Sequence, residues 1–192
     1  MCNRLFLPES LRSLPIYGNM DLLYPGGYDM EIRKLIPSAL TASQFEQMVR
    51  IEETCGLEPY SPEILLECIE DLNTFACLDQ DRIAGFITVH LCDRYLGREL
   101  YIINLNVARP YRRQGIGQAL IRAACASFIH SQPIEMVTLD VAKDNTAAIH
   151  LYSKMGFRFS DIPSRNGDTD MVMTVPYECL IKESYETRIY TE

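Results

Sequence analysis

Past residue 30, stretches of alternating apolar and polar residues give way to stretches with helical spacing, and back again. Met30 to Leu35 reads as a first strand. Thr41 or Ser43 can cap a helix to about Cys55, since Phe45, Met48, Val49 and Ile51 or Glu52 recur at helical spacing and Gly56 stops it. Ser61-Pro62-Glu63 starts a second helix, with Ile64, Leu65, Cys68, Ile69 and Leu72 as its buried stripe. Strands follow at Thr74–Leu78, Arg82–Leu91 and Glu99–Val107, the second interrupted by Gly85, which marks a bulge or a close approach. On the third, Asn104 and Asn106 share one face and Ile103, Leu105 and Val107 the other, as if one side lined a cavity. Asn104 either lines that cavity or satisfies a buried backbone group.

A helix from Ile116 to about Ser131 carries Ile116, Leu120, Ala124 and Phe128 on one stripe, with Pro133 beyond it. Met136–Val141 is a strand. Asp144 or Asn145 caps a helix ending at Met155, with Gly156 in the left-handed position after it. Phe157–Ile162, a turn at Ser164–Asp168 and Met171–Val175 form a closing hairpin. The order is β-α-α-β-β-β-α-β-α-β-β: a mixed α/β sheet of about seven strands with helices on both faces, antiparallel first, with a parallel pair expected across residues 99–141. Residues 1–29 are broken by Pro8, Pro15, Pro25, Gly18, Gly26 and Gly27 and read as an extension, pinned by Leu22, Leu23 and Tyr24. Residues 30–177 form the domain and residues 178–192 a polar tail.

Composition narrows the function classes. The chain of 192 residues is 47% hydrophobic and 23% charged, enough for a real core. Its net charge of −8 disfavours nucleic acid and anionic membrane and suits an amine-bearing partner. The seven cysteines include no C-x-x-C pair, and the three histidines form no H-x-x-x-H pattern, so neither a disulfide framework nor a metal site is expected. No apolar run reaches the ~18 residues of a membrane span, and Pro8 and Glu9 break any leader core. A soluble, cytoplasmic protein is expected.

One loop carries chemistry. Arg112-Arg113-Gln114-Gly115-Ile116-Gly117 joins a strand end to a helix start. A helix N-terminus offers unpaired N–H groups and partial positive charge. Two glycines let an anion approach those groups, Arg112 and Arg113 add charge, and Gln114 adds a donor. The run is a pyrophosphate cradle, but it lacks the third glycine of a dinucleotide loop and the Gly-Lys-Ser/Thr of a Walker loop. In Val137–Phe157, a strand, a Lys-Asp-Asn turn and a helix opened by Ala147 and Ala148 follow, with Tyr152 one turn after Ala148.

Together, R-R-Q-G-I-G and D-N-x-A-A-I-x-L-Y-x-K-x-G-F resemble the GCN5-related N-acetyltransferase (GNAT) superfamily. The second run is similar to its ribosomal-protein-alanine N-acetyltransferase (RimI-like) branch. The resemblance covers about residues 30–177. It implies acetyl-CoA as cosubstrate and an amine as acceptor, either a protein N-terminus or a small amine such as a polyamine, amino acid or aminoglycoside. A non-catalytic acyl-CoA-binding module is the rival class. It further implies that Leu105, Asn106 and Val107 pair with the pantetheine arm where two strands splay, the Val107 N–H polarising the thioester. Arg113, Gln114, Gly115, Ile116, Gly117 and Gln118 match the pyrophosphate-binding stretch, beside Arg112, and Asn145 matches an asparagine on the cofactor. Asp140 matches the branch's general-base glutamate, one methylene shorter, and Tyr152 the general acid on the thiolate. Without the resemblance, Asp140 reads as a turn cap or a partner of Arg113 or Lys143, and Tyr152 as a packed aromatic. Glu52-Glu53 and Glu67–Asp71 read as solvated helix faces or, since the resemblance sets the first two helices beside the acceptor, as charge that attracts a cationic substrate; His150 reads as an exposed helix residue and Cys125 as core. A monomer or homodimer is expected.

Overall fold

The computed structural model describes residues 22–23, 30–55, 59–94, 96–130 and 133–181. The rest of the N-terminal extension, Gly56, Ser131 and the tail from residue 182 lie outside the described residues.

An eight-stranded sheet forms the centre: β1 (Leu22–Leu23), β2 (Met30–Lys34), β3 (Asn73–Asp79), β4 (Arg82–Arg94), β5 (Gly97–Val107), β6 (Met136–Ala142), β7 (Arg158–Phe159) and β8 (Asp170–Pro176). The spatial order is β1-β2-β3-β4-β5-β6-β8-β7. Apart from β1, a two-residue pairing on the edge of β2 inside the expected extension, these are the seven expected strands. β5 and β6 run parallel, as expected; every other neighbouring pair is antiparallel.

Helices α1 (Ala42–Cys55) and α2 (Pro62–Asp71) cover one face. Thr41 rather than Ser43 starts α1. Its hydroxyl accepts from Gln44 N and Gln44 Oε1 accepts from Thr41 N, both at 3.2 Å, the reciprocal capping arrangement. Ser61 caps α2 with Pro62 at its first position. Met48, Ile51, Leu65 and Ile69 pack there on Ala76, Leu78, Ile83 and Phe86. Helices α3 (Ile116–Ala126) and α4 (Thr146–Lys154) belong to the second core, where Ile116, Leu120, Ile121, Tyr152, Met155 and Phe157 meet Ile87, Val89, Leu100, Ile102, Val137 and Leu139.

Three elements depart from the sequence expectation. α3 stops at Ala126, short of the expected end: the Ser127 hydroxyl donates to Ala124 O at 2.7 Å, and Phe128 and Ile129 donate three residues back, tightening the last turn. β7 is two residues long because the chain turns at Ser160, whose hydroxyl accepts from Ile162 N at 3.4 Å. The chain from 177 to 181 is helical, with Leu180 only 1% exposed, so packing continues past Tyr177.

Two register shifts matter for the site. Between β3 and β4, Cys77 faces Gly85 while Leu78 faces Ile83, leaving Ala84 as an extra residue. Gly85 is also a close approach, since a Cβ there would lie 2.7 Å from Asn106 O. Between β4 and β5, Thr88 faces Asn104 while Val89 faces Ile102, so Ile103 is extra. That bulge reverses the side-chain alternation: Leu100 and Ile102 point into the α3/α4 core, whereas beyond it Leu105 and Val107 do. Asn104 and Asn106 thereby share the face of Tyr101.

Candidate active site

β5 and β6 pair only from Glu99–Met136 to Ile102–Leu139. Beyond that point the two strands share no ladder, although β5 continues to Val107 and β6 to Ala142. Ala108 N donates to Ala84 O at 2.9 Å, toward β4. Backbone groups alternate along a strand, so Leu105 and Val107 turn theirs the other way, into the space β6 has left. The Val107 carbonyl is taken there by Arg112 Nε at 3.0 Å and by Cys55 Sγ at 3.6 Å.

The loop after β5 begins with a 3-10 turn, Arg109–Tyr111. The Tyr111 hydroxyl donates to Asp79 at 2.7 Å and ties it to the β3–β4 turn. Arg113 and Gly115 take left-handed backbone angles, φ 64° and 88°. The amides of Gly115, Ile116 and Gly117 find no acceptor among the described residues, the normal condition of a first helical turn.

Side chains in this loop act differently from their sequence reading. Arg112 folds back onto β5, its Nη2 3.1 Å from Cys55 Sγ, rather than standing over the amides. Gln114 spends its donor on Pro110 O at 3.0 Å. Gly117 is small for packing: a Cβ there would meet Leu151 Cδ2 of α4 at 3.2 Å. Asn145 caps α4, its Oδ1 accepting from Ala148 N at 3.1 Å. Asn106 keeps its backbone against β4 and its side-chain amide on Glu52, so of the three strand-end residues only Leu105 and Val107 present main chain to the gap.

Asp140 and Tyr101 form the polar centre. The Tyr101 hydroxyl donates to Asp140 Oδ2 at 2.6 Å. Asp140 touches neither Arg113 nor Lys143; Lys143 Nζ donates instead to Asp168 O at 2.5 Å. The other carboxylate oxygen, Oδ1, is buried without a hydrogen-bond partner, as is Asn104 Nδ2. Asn104 Oδ1 accepts from Thr88 N at 3.0 Å, so this residue satisfies the backbone at the bulge. The Arg94 guanidinium lies 4.3 Å over the Tyr101 ring. Burial, then the bond to Asp140, pushes the Tyr101 phenol well above its ordinary value, so it stays protonated.

Tyr152 is 8% exposed, its ring 5.5 Å from Phe157. Burial pushes its phenol up to about 12, and its hydroxyl makes no hydrogen bond among the described residues. His150 is exposed and Cys125 buried, as read from sequence. Glu53, Glu67, Glu70 and Asp71 are exposed, but Glu52 is not: it is 5% exposed, a correction to the solvated-face reading. Among the described residues no group of three or more His, Cys, Asp or Glu could hold a metal.

Sequence reasoning missed Tyr101 and Glu52. Tyr101 looked like one strand residue among others, and only the strand pairing brings it to Asp140, 39 positions away. Glu52 stood at an ambiguous helical position, sharing its turn with Ile51.

The family profile described as acetyltransferase (GNAT) family matches residues 43–157. The chain belongs to the GNAT family. Among curated relatives of this GNAT chain, an N-alpha-acetyltransferase of Sulfurisphaera tokodaii is 38% identical over 58 residues, 30% of this chain and 35% of that protein. Streptothricin acetyltransferase of Streptomyces lavendulae is 35% identical over 95 residues, 49% of each chain. The GNAT chain thus spans half or less of these relatives' length. Among solved structures, the ribosomal-protein-S18-alanine N-acetyltransferase of Escherichia coli superimposes with a TM-score of 0.60 at 22% identity, covering 77% of this chain and 94% of that one, a likeness of fold. No helix among the described residues is long and apolar enough to cross a membrane.

Proposed function

We propose that this GNAT chain is an acetyl-CoA-dependent N-acetyltransferase, moving the acetyl group to a primary amine by direct attack in a ternary complex. The observation that carries this is the parting of β5 from β6 after Ile102 and Leu139, which leaves the backbone edge at Leu105 and the Val107 N–H open beside the free amides at Gly115 to Gly117. An extended amide-bearing arm pairs with such an edge as an added strand does, and a pyrophosphate suits a helix start. Acetyl-CoA supplies the activated thioester. Val107 N–H polarises a carbonyl placed in the gap. Gly115, Ile116, Gly117 and Gln118 hold the diphosphate, with the exposed Arg113 adding charge.

Asp140 accepts the proton of the incoming amine, directly or through the Tyr101 hydroxyl that binds it. Tyr152, protonated at neutral pH, donates to the departing thiolate. The acceptor we favour is a protein N-terminal α-amine, as in the RimI-like branch, with the cytoplasm as working compartment. An α-amine of pKa about 7.7–8.0 is already partly neutral, so a modest base such as Asp140 suffices, whereas lysine near ~10.4 is not.

Release of free thiol from acetyl-CoA against N-terminal peptides, polyamines and aminoglycosides tests the proposal. Turnover with peptides is expected. Tyr152→Phe should lose about 10²–10⁴-fold in kcat while keeping its acetyl-CoA affinity. Acetyl-CoA binding with no thiol released by any amine would make the chain a binding module instead. Turnover confined to polyamines or aminoglycosides would reassign the acceptor.

A further inference from the structure

Glu52 lies on α1, yet its carboxylate reaches two other parts of the site. Asn106 Nδ2 donates to Oε2 from the end of β5, and Tyr60 N donates to Oε1 at 3.3 Å from the start of α2. Asn106 precedes Val107, whose N–H faces the gap. One side chain therefore ties the end of β5 to the segment that precedes α2. A carboxylate suits this bridge: it accepts on both oxygens, and at 5% exposure it has little water to fall back on.

We infer that Glu52 is a positioning residue for acyl transfer, a staple that fixes Val107 through Asn106 and ties that strand end to the segment before α2 through Tyr60; this rests on the acetyltransferase reading above. Glu52 touches no reacting atom in this account. Its oxygens are used by Asn106 and Tyr60, so it is not the base.

The chemistry of the bridge supplies its own test. In Glu52→Leu both acceptor oxygens are gone, and Asn106 Nδ2 and Tyr60 N lose their partner together. In the double variant Glu52→Gln/Asn106→Asp the introduced amide donates to the introduced carboxylate, its oxygen still accepts from Tyr60 N, and the charge count is unchanged. Two readouts are needed: steady-state kinetics with the best acceptor, and hydrogen exchange at the Tyr60 amide in the full chain. Glu52→Leu is expected to lower kcat by about 10- to 100-fold, the cost of a small misplacement of reacting groups, with KM for acetyl-CoA little changed and faster exchange at Tyr60. The double variant should restore both. Three results overturn the inference: a Glu52→Leu variant with wild-type kcat, exchange at Tyr60 that does not respond, or a double variant as slow as the single one. The last would mean that the carboxylate at position 52 matters for itself rather than as a bridge. A wild type with no turnover on any amine overturns the acetyltransferase reading, whereas an active wild type with an indifferent Glu52→Leu overturns only this one.

Discussion

Adding a single methyl group at Gly85 should displace the strand end at Asn106 and Val107, which we propose faces the thioester. Gly85 sits on β4 opposite Val107. A Cβ at this position lies 2.7 Å from Asn106 O, 3.2 Å from Val107 Cα and 3.3 Å from Val107 Cγ2. All three are inside the about 3.5 Å of a favourable non-bonded contact. The two shortest involve backbone atoms, so no rotamer change relieves them and β5 itself must move. Overpacking of this kind costs about 1–3 kcal/mol, and the lower backbone entropy of alanine offsets about 0.5–1 kcal/mol of it, leaving a net loss of about 1–2 kcal/mol. For a chain of this size, about 2–4 °C per kcal/mol translates that into a melting temperature lower by about 2–8 °C. The displacement falls on Asn106 and Val107, so acetyl-CoA affinity should fall together with stability. Calorimetric melting and an acetyl-CoA titration of Gly85→Ala check both. A variant that melts with the wild type and binds acetyl-CoA equally well refutes the reasoning, because the close approach would then not constrain the strand.

Tyr111→Phe removes the bond to Asp79 that ties the loop between β5 and α3 to the β3–β4 turn. Stability should fall by about 1 kcal/mol and KM for acetyl-CoA should rise, with kcat little changed, read by melting and steady-state kinetics. Burial pushes the Cys68, Cys77 and Cys125 thiols up to about 12, 11 and 12. These three should resist Ellman's reagent at mildly alkaline pH until the chain is denatured, while exposed Cys179 reacts at once. Desolvation raises the Glu52 carboxyl above its ordinary value. The folded chain therefore holds this proton more readily than the unfolded one, giving stability that is present at low pH and lost as pH rises through the raised value. The melting-temperature difference between wild type and Glu52→Gln should accordingly move in favour of the wild type as pH falls from about 7 to about 5. A constant difference counts against it.

The order of strands and helices, the parallel β5–β6 pair and the Gly-rich turn into α3 were legible in the sequence alone. Each depends on local patterning: apolar period, caps such as Ser61 and Asn145, and the left-handed Gly115 and Gly156. Local pattern also sufficed to place Tyr152 on a helix and Asp140 on a strand. It did not say what the loop side chains do. Arg112 and Gln114 had the composition of anion ligands, but nearby carbonyls at Val107 and Pro110 were better placed to take their donors.

What the tertiary structure alone decided is pairing across distance. Where β5 leaves β6 depends on the register of strands far apart in the chain, and no residue type marks it. The extra residue at Ile103 turns Asn104 and Asn106 onto the face of Tyr101, a reversal that strict alternation cannot foresee. Glu52 beside Glu53 was indistinguishable from a solvated acid until α1 lay against Asn106. A buried carboxylate is defined by donors that other elements bring to it, and those donors are fixed only when the sheet and both of its helical layers have closed.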